Sequence, residues 1–393
     1  MYRIGINASF LRKPYTGIGQ VTANVLREIA RRESFPVGGQ EVDAKEFRWF
    51  VYLDEPDTSG VPERFSARPL GCMWKRDDLA RKFLFERFLI PHAARRDRLD
   101  AFVSLYQSAT VIPRLSGIRH AMVVHDIIPE VLPEYLDNAR KRFFWKRMKH
   151  GMKRAEKILA VSSHTEKDLI KHVSIAPERI SVAPIDVDPI FSEPVSRKRL
   201  FTVKSHYGLG DRYFLVAGGL EARKNVENTI LGYEKLLDMF GSDTPDLAVA
   251  GTLLPHLAPL VTDVETLVRE RNLTQKVKIL GTVAQHDMPV IYAGAIAAVF
   301  ASRYEGFGMP VLEAMRAGTP VITTKRTSIP EVAGDAARYC GTDTADIARA
   351  LEEVMEDETL RAELRRRGTE RAKLFSWERF ADDIVKSLHL ENK

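Results

Sequence analysis

Two carboxylates flank a glycine-containing loop in residues 297–334, the stretch of the sequence with the clearest chemical content. Glu305 stands in the loop with Gly306 and Gly308, and Glu313 lies eight positions after Glu305 in a predicted helix. Glycines let backbone N–H groups approach a ligand closely, and a helix N-terminus attracts anions. Carboxylates accept hydrogen bonds from hydroxyl groups and do not bind phosphate. The stretch therefore predicts a ligand that carries both phosphate and hydroxyl groups, such as a sugar nucleotide.

A pair of cations follows the predicted strand at residues 213–218. The run Gly218-Gly219-Leu220-Glu221-Ala222-Arg223-Lys224-Asn225 leads from that strand into a predicted helix. Arginine offers a planar fork and lysine a compact charge, and both side chains bind phosphate oxygens. Cations at a helix N-terminus oppose the helix dipole, so their position favours an anionic ligand. The alternative is a solvent-exposed pair of charges without a ligand.

The glutamate spacing and the residues around it resemble the signature of one enzyme family. Glu305 and Glu313 are separated by seven residues, with Gly306-Phe307-Gly308 between them and Ser328-Ile329-Pro330-Glu331 after them. This pattern is similar to that of the family-4 retaining glycosyltransferases of the GT-B fold. The resemblance implies transfer of a sugar from a nucleoside diphosphate to an acceptor hydroxyl, with the anomeric configuration retained. An ordinary strand, turn and helix is the alternative.

The resemblance also implies a role for each residue of the site. Glu305 would bind hydroxyls of the donor sugar and act in catalysis, and Glu313 would bind the ribose hydroxyls. The donor diphosphate would be held by Arg223, Lys224, Gly306, Phe307, Gly308, Met309 and, in a glycine turn after the first strand, Gly17. The nucleobase would lie near Thr282 and Val283. No metal ion and no cofactor are expected, because the two cations and the loop amides would stabilise the departing diphosphate.

His125 follows the predicted strand at residues 121–124, and ligands of doubly wound sheets bind beyond the carboxyl ends of strands. The string Val124-His125-Asp126-Ile127-Ile128-Pro129 resembles the acceptor-side loop of bacterial, often mannosyl-transferring, family members. The resemblance implies that His125 contacts the donor sugar and takes part in catalysis. A structural histidine and a metal pair formed with His120 are the alternatives.

The order of the predicted elements indicates the fold class. Strands and helices alternate from residue 2 to residue 183, and the alternation starts again at residue 213, which predicts two parallel sheets covered on both faces. We expect an α/β protein with two Rossmann-like domains, residues 1–190 for the acceptor and residues 200–375 for the nucleotide-sugar donor. The GT-B resemblance implies that the domains face a central cleft and that a C-terminal helix at residues 376–393 returns to the first domain. Residues 36–45 indicate a surface loop.

Composition excludes several other classes of protein. The 393 residues are 45% hydrophobic and 28% charged, as in soluble globular proteins, and no apolar run is long enough to span a membrane. Cys72 and Cys340 match no metal or redox spacing, which favours free thiols and a cytoplasmic location. Asp186 and Asp188 form an Asp-x-Asp pattern, which holds a divalent ion in other transferases, but they stand between prolines at the predicted end of the first domain.

The net charge of +6 predicts an anionic partner. Basic residues concentrate in a predicted helix at residues 140–154, where they alternate with aromatic residues 143–145. Together with Arg81, Lys82, Arg95 and Arg96, this helix favours peripheral contact with the anionic inner face of the cytoplasmic membrane. The alternative is a helix whose apolar side faces the core and whose charges are solvated. Nucleic acid is not an expected partner, because no recognised nucleic-acid motif is present.

These observations converge on a retaining hexosyltransferase. The His-Asp-Ile-Ile-Pro resemblance favours transfer of mannose from GDP-mannose to a glycan or lipid-linked glycan in surface polysaccharide or lipopolysaccharide assembly. The alternatives are a UDP- or dTDP-sugar-dependent glycosyltransferase, a nucleotide-sugar epimerase and a glycan phosphorylase, all of the same fold. A non-enzymatic binder of membrane or nucleic acid is disfavoured. A dehydrogenase is disfavoured because no Gly-x-Gly-x-x-Gly follows the first strand.

Overall fold

The computed structural model describes residues 1–71 and 77–390, which form two compact units. The first unit comprises Met1–Asp186 and the C-terminal segment that begins at Phe375, and the second comprises Val187–Leu374. Cys72 lies outside the described residues. The Cys340 thiol is not in a disulfide, and burial raises its pKa to about 12.

A seven-stranded, all-parallel sheet forms the centre of the first unit. The strands up to residue 186 are β1 (Tyr2–Asn7), β2 (Ser34–Val37), β3 (Gln40–Asp43), β4 (Phe47–Leu53), β5 (Ser66–Pro69), β6 (Ala101–Ser104), β7 (Arg119–Val124), β8 (Lys157–Ala160) and β9 (Ile180–Val182). The sheet has the order β5-β4-β1-β6-β7-β8-β9, and β2 and β3 form a separate antiparallel hairpin. Strands β6 and β7 are almost wholly buried, as expected for a parallel sheet covered by helices.

Helices connect these strands. They are α1 (Gly17–Arg31), α2 (Asp78–Leu84), α3 (Ile90–Arg96), α4 (Ile128–Val131), α5 (Ala139–Arg154) and α6 (Ser163–Asp168). A π-helical turn, Phe85–Leu89, joins α2 to α3. Short polar side chains cap several N-termini: Thr16 accepts a hydrogen bond from the Gly19 amide at the start of α1, and Asn138 accepts one from Lys141 at the start of α5.

The second unit repeats the arrangement around a six-stranded, all-parallel sheet. Its strands are β10 (Tyr213–Ala217), β11 (Asp246–Ala250), β12 (Val277–Gly281), β13 (Ala297–Phe300), β14 (Val321–Thr324) and β15 (Arg338–Cys340), in the order β12-β11-β10-β13-β14-β15. Its helices are α7 (Arg197–His206), α8 (Val226–Phe240), α9 (Val264–Glu270), α10 (Met288–Gly294), α11 (Met309–Arg316), α12 (Ile329–Ala333), α13 (Thr344–Glu356) and α14 (Glu358–Ala372). Buried aliphatic side chains from strands and helices form one continuous core.

The last helix, α15 (Trp377–Ser387), packs against α1, β2 and β8 of the first unit. Its buried side carries Trp377, Phe380 and Ile384. In the middle of this helix, Asp382 Oδ1 lies 2.5 Å from Arg32 Nη2. Apolar packing and an ion pair therefore attach the C-terminal helix to the first unit, in line with the expected return of the chain.

The α/β class and the two Rossmann-like units are confirmed. The structure corrects the loop expected at residues 36–45, because these residues contribute to the β2–β3 hairpin, which turns at Gly38 and Gly39. Both glycines have positive φ, the conformation that a two-residue hairpin turn needs. The short edge strands β5 and β15 were not predicted. Within the described residues, no helix is both long and apolar enough to cross a membrane.

Candidate active site

The order of strands in the second sheet identifies where a ligand would bind. The chain builds β10, β11 and β12 in one direction and then returns to add β13 on the other side of β10. Ligands of such sheets bind at this topological switch point, beyond the carboxyl ends of the two central strands. The loop after β10 carries Arg223 and Lys224, and the loop after β13 carries Glu305. We call this position the second-unit switch point.

Arg223, Lys224 and Glu305 are in direct contact, and we call them the charge cluster. Arg223 Nη1 donates to Glu305 Oε2 at 3.0 Å and to the Tyr304 carbonyl at 2.9 Å. Lys224 Nζ contacts Glu305 Oε1. The Arg303 amide also donates to the Arg223 carbonyl at 2.7 Å, which joins the two loops through their backbones. The structure thus brings together the cations assigned to phosphate and the carboxylate assigned to sugar.

Glu305 in the charge cluster is ionised, and Arg223 also lies 3.5 Å from a second carboxylate, that of Glu221. Burial by itself would raise the pKa of Glu305, but Lys224 and Arg223 outweigh burial and lower that pKa to about 2. The alternative of a solvent-exposed pair of charges is therefore wrong, because both cations are largely buried against Glu305. The two cations nevertheless lie side by side at the edge of the sheet, where a planar fork and a compact charge are suited to an anionic ligand.

Three residues to which the sequence analysis gave no role, of which only Ser328 was named in the family signature, hold Glu305 in place. Ser302 Oγ donates to Glu305 Oε1 at 2.8 Å, and the Glu305 amide donates to Thr327 Oγ1 at 3.0 Å. Ser328 Oγ lies 2.9 Å from the carbonyls of both Glu305 and Phe307. Thr327 and Ser328 follow β14, the strand beside β13. The signal that could have found them is that neighbouring parallel strands end at the same edge of a sheet.

The loop between Glu305 and α11 requires a glycine at position 308. Gly308 has φ +111°, and a Cβ atom there would lie 2.8 Å from Ile329 Cδ1. The Gly308 carbonyl accepts hydrogen bonds from the amides of Val311 and Leu312 in the first turn of α11. The predicted run Gly306, Phe307, Gly308 and Met309 is therefore a tight turn that leads directly into a helix N-terminus.

Glu313 lies in α11 in a very different environment from Glu305. It is buried, and its Oε2 accepts a hydrogen bond from Tyr292 Oη at 3.1 Å. Burial raises the pKa of Glu313 to about 7, although the Tyr292 hydrogen bond and the positive charge of Lys224 oppose the rise. Lys224 therefore acts on both predicted carboxylates. Tyr292, which lies in α10, had no local signal in the sequence.

Thr282 and Val283 follow β12, on the far side of β10 from Glu305. The Thr282 side chain is exposed, and its hydroxyl lies 3.0 Å from that of Thr252, which follows the neighbouring strand β11. The Val283 side chain is buried. Of the two predicted nucleobase contacts, only Thr282 thus offers an accessible side chain.

His125 and Gly17 belong to the first unit. His125 is buried at the end of β7, where its Nε2 lies 2.9 Å from the Leu105 carbonyl and its amide donates to Gln107 Oε1 at 3.3 Å. Burial lowers the pKa of His125 despite this hydrogen bond and the nearby Asp126. The neutral ring donates from Nε2, so Nδ1 carries the lone pair and can accept a hydrogen bond. Gly17 is exposed at the start of α1, where Thr16 caps the helix.

The candidate metal ligands are engaged in other contacts. His120 is buried, its Nε2 lies 3.0 Å from Ser104 Oγ, and burial lowers its pKa to about 3. Asp188 caps the turn Pro189–Ser192 by accepting a hydrogen bond from the Ile190 amide at 3.1 Å. Among residues 1–71 and 77–390, no three histidine, cysteine or acidic side chains converge as metal ligands would.

The predicted basic helix, α5, presents three different faces. Its core face consists of Trp145, Met148 and Met152. A cationic face consists of Arg142, Lys146, Lys149 and Lys153. On the third face, Phe143 and Phe144 pack against Phe83. Arg81, which we expected to extend the basic surface, is instead buried, with Nη1 2.7 Å from Glu55 Oε1 and Nε 3.4 Å from Asp54 Oδ2.

Family models match both units. The model for glycosyl transferases group 1 matches residues 201–373, and the model for Glycosyltransferase Family 4 matches residues 16–189. The O-antigen chain mannosyltransferase B of Escherichia coli is 30% identical over 391 residues, which cover 97% of each chain. The O-antigen chain mannosyltransferase RfbU of Salmonella typhimurium is 27% identical over 342 residues, or 86% of each chain.

Solved structures share the fold at low sequence identity. WaaG, a glycosyltransferase involved in lipopolysaccharide biosynthesis, has a TM-score of 0.74 at 17% identity, with 98% of this chain and 99% of WaaG covered. Anabaena HepE in complex with UDP and glucose has a TM-score of 0.73 at 15% identity, with 99% of each chain covered. Family models for both units and a relative that matches nearly the whole length lead to one conclusion: this chain belongs to the family-4 glycosyltransferases of the GT-B fold.

Proposed function

We propose that this glycosyltransferase moves mannose from GDP-mannose to a hydroxyl of a glycan or lipid-linked glycan, with retention of configuration and without a metal ion. The observation that carries the proposal is the charge cluster at the second-unit switch point, next to the glycine turn that begins α11. The mannosyl donor is supported by the 30% identity to O-antigen chain mannosyltransferase B, which spans 97% of both chains.

The charge cluster acts on the departing diphosphate. As the bond between sugar and phosphate breaks, negative charge grows on the diphosphate oxygens, and donors already aimed at that position lower the barrier. Arg223 offers a planar fork and Lys224 a compact charge. The amides of Gly306, Phe307, Gly308 and Met309 complete the second unit's part of the diphosphate site. These groups take the place of a divalent ion.

The two carboxylates and the histidine bind hydroxyl groups. Glu305 remains ionised and accepts hydrogen bonds from the donor sugar, while Glu313 accepts them from the ribose. His125 is neutral, so its Nδ1 accepts a hydrogen bond from a sugar hydroxyl without adding positive charge beside the developing oxocarbenium ion. Thr282 and the backbone at Val283 contact the nucleobase.

A UDP-sugar donor is the second candidate, because HepE, whose fold is similar, was solved in complex with UDP and glucose. An epimerase of the same fold is a third, since it would bind the same class of nucleotide sugar. The reaction products distinguish these three candidate functions. A transferase releases its nucleotide only when an acceptor is present, whereas an epimerase releases none and changes the sugar.

The experiment incubates the protein with GDP-mannose, UDP-glucose or dTDP-glucose, with and without a mannose-containing oligosaccharide acceptor. We expect GDP release that depends on the acceptor, that is unaffected by EDTA, and that yields an α-mannoside, matching the α-anomer of the donor, by NMR. A β-mannoside would contradict retention, and loss of turnover in EDTA with rescue by magnesium would contradict metal independence. Acceptor-dependent release of UDP from UDP-glucose, without release of GDP from GDP-mannose, would favour the second candidate.

A cytoplasmic location with peripheral membrane contact is also part of the proposal. Phe83, Phe88, Phe143 and Phe144 form a cluster of ring contacts 5.5–6.1 Å apart that we call the aromatic patch. Phe88 and Phe143 are exposed, and the Arg87 and Arg147 guanidinium groups lie over their rings, at 5.8 Å and 4.9 Å. Exposed aromatic rings beside cations are suited to the interface of an anionic bilayer. Trp145 is buried and does not contribute.

A matched pair of variants tests the membrane contact. Phe143→Ala/Arg147→Ala removes an aromatic ring and an arginine four positions apart, and Phe201→Ala/Arg197→Ala removes the same groups, also exposed, from α7 in the second unit. We expect the first variant to bind vesicles containing phosphatidylglycerol roughly tenfold more weakly at low salt. The second should bind like the unmodified protein. Equal losses in both variants, or indifference to vesicle charge, would contradict the membrane contact.

A further inference from the structure

A groove lies along the cationic face of α5, on the side away from the aromatic patch. Its volume is about 470 Å³, within the range of small-molecule sites. The opposite wall comes from Glu130 in α4 and from Leu136 in the turn that follows. The complete lining is Glu130, Leu136, Arg142, Trp145, Lys146, Lys149, His150 and Lys153. We call this feature the cationic groove.

The four cations of the groove occupy one helix face by their spacing. Arg142, Lys146, Lys149 and Lys153 are separated by four, three and four positions, which places them in one row along α5. Like charges at such spacings destabilise a helix. A row of this kind is therefore unfavourable unless an anion neutralises it, and among the described residues that line the groove Glu130 is the only carboxylate.

Glu130 neutralises one cation and leaves the others available. Its carboxylate accepts hydrogen bonds from Trp145 Nε1 at 2.6 Å and from Lys149 Nζ at 3.0 Å. Although burial opposes ionisation, these two contacts lower the pKa of Glu130, so it is charged at neutral pH. Arg142 donates to a neutral acceptor, the Leu136 carbonyl, at 2.9 Å. Within residues 1–71 and 77–390, Lys146 and Lys153 have no carboxylate in ion-pair range.

We infer that the cationic groove binds the phosphate group of a phosphorylated ligand. A phosphate monoester carries up to about two negative charges and a terminal diphosphate about three, so either neutralises most or all of an excess of three cations, which a single carboxylate does not. Arg142 supplies a planar fork, and Lys146 and Lys153 supply compact charges. The volume exceeds that of one phosphate, and Leu136 and Trp145 give the organic part of the ligand an apolar wall. This site goes beyond the proposed function and shares no residue with the charge cluster.

Calorimetry with inorganic pyrophosphate tests the inference. The full-length protein should bind pyrophosphate at two independent sites, the cationic groove and the charge cluster. Lys146→Ala/Lys153→Ala should weaken the groove site roughly tenfold, since exposed ion pairs contribute little individually. Arg223→Ala/Lys224→Ala/Glu305→Gln, which leaves no unpaired buried carboxylate, should remove the other site without changing the groove. Absence of pyrophosphate binding at the cationic groove can thus be distinguished from absence of binding at the charge cluster, on which the proposed function rests.

The matched control is Arg147→Ala/Arg154→Ala, which removes two charges from another face of the same helix. Both cations are absent from the groove lining. Alanine favours helix at exposed positions, so neither double variant should lose stability, and thermal unfolding checks this. Equal weakening in the groove variant and in the control would mean that net charge alone attracts pyrophosphate. That result, or no weakening in the groove variant, would overturn the inference.

The source of the phosphate is assigned by a second comparison. Glycerol 3-phosphate and dihexanoyl-phosphatidic acid both carry a phosphate monoester, but only the second carries acyl chains. Binding of both with similar affinity, and loss of both in Lys146→Ala/Lys153→Ala, would assign the groove to a soluble phosphate ester. Tighter binding of the lipid, lost in the same variant, would assign it to a lipid headgroup.

Discussion

The switch points of the two sheets are equivalent positions, but they carry different kinds of polar groups. In the first unit, the switch point lies at the carboxyl ends of β1 and β6, and it holds a buried network of hydrogen bonds. Asn7 Nδ2 donates to Tyr106 Oη at 2.8 Å, and the Ser9 hydroxyl lies 2.7 Å from the same oxygen. Tyr106 Oη in turn donates to Glu86 Oε1 at 2.7 Å. In the second unit, the same position holds the charge cluster.

The comparison teaches that local cations, rather than the fold, determine the state of a buried carboxylate. Burial raises the pKa of Glu86, and Lys82, whose Nζ lies 3.7 Å from Glu86 Oε1, does not reverse the rise. Glu305 is also buried, yet two cations lower its pKa to about 2. The first-unit network is suited to holding the chain in position, whereas the second-unit cluster presents two adjacent cations, the arrangement that we propose for binding a diphosphate.

The largest expected effect comes from removing the cations of the charge cluster. Arg223→Ala/Lys224→Ala leaves Glu305 buried without a charged partner, which should destabilise the second unit by about 3–5 kcal/mol at pH 7. Because the pKa of Glu305 lies below the ordinary glutamate value, the stabilisation is present above pH 4.5 and is lost as pH falls towards 2. The difference in the free energy of unfolding between the unmodified protein and the variant, measured in urea, should therefore become smaller over that range.

The control for this variant is Arg197→Ala/Lys198→Ala, an exposed Arg-Lys pair at the start of α7 in the same unit. It should unfold like the unmodified protein at every pH. Adding Glu305→Gln to Arg223→Ala/Lys224→Ala should restore most of the lost stability, because the unpaired charge is then gone. A deficit that does not depend on pH and is not rescued would show that packing rather than charge is responsible.

Glu305→Gln alone should lower turnover with GDP-mannose roughly ten- to a hundredfold, the usual contribution of a hydrogen bond to a charged group. Donor binding should not weaken, since the substitution releases both cations from the Glu305 carboxylate and leaves them available to phosphate. Steady-state kinetics and calorimetry measure the two effects separately. An unchanged kcat would remove Glu305 from the catalytic site.

Glu86→Gln tests the other half of the comparison. The Glu86 carboxylate also accepts a hydrogen bond from the Ala109 amide at 2.7 Å, and an amide side chain cannot satisfy both donors. We expect a loss of about 1–3 kcal/mol in the free energy of unfolding. Affinity for GDP-mannose should be unchanged, because the nucleotide is assigned to the second unit. Weaker nucleotide binding in this variant would contradict the separation of roles.

The smallest expected effect is a pH dependence that arises from Glu313. Its pKa of about 7 means that the carboxylate gains its charge as pH rises from 6 to 8. Ribose hydroxyls donate more strongly to a carboxylate than to the protonated acid, so affinity for GDP-mannose should increase by up to about tenfold over this range. GDP-mannose has no phosphate group that titrates there. Calorimetry on Glu313→Gln should give a flat profile, and a slope retained in that variant would exclude Glu313 as its cause.

The sequence predicted the parts of this molecule that depend on local pattern. Arg223, Lys224 and Glu305 each follow a buried parallel strand, so their position at one edge of the sheet was predictable. Their ion pairing was not, because it depends on how closely two loops approach each other. Tyr292 and Thr327 reach Glu313 and Glu305 from other elements, and nothing local marks them. The short edge strand β5 was missed because its residues are only partly buried.

The central claim is that the charge cluster holds the donor diphosphate, and one calorimetric comparison tests it most directly. The unmodified protein and the exposed-pair control Arg197→Ala/Lys198→Ala should both bind GDP more tightly than GMP. The charge-balanced variant Arg223→Ala/Lys224→Ala/Glu305→Gln should stay folded and bind the two nucleotides with similar, low affinity. A preference for GDP that persists in this variant would contradict the claim and place the diphosphate elsewhere.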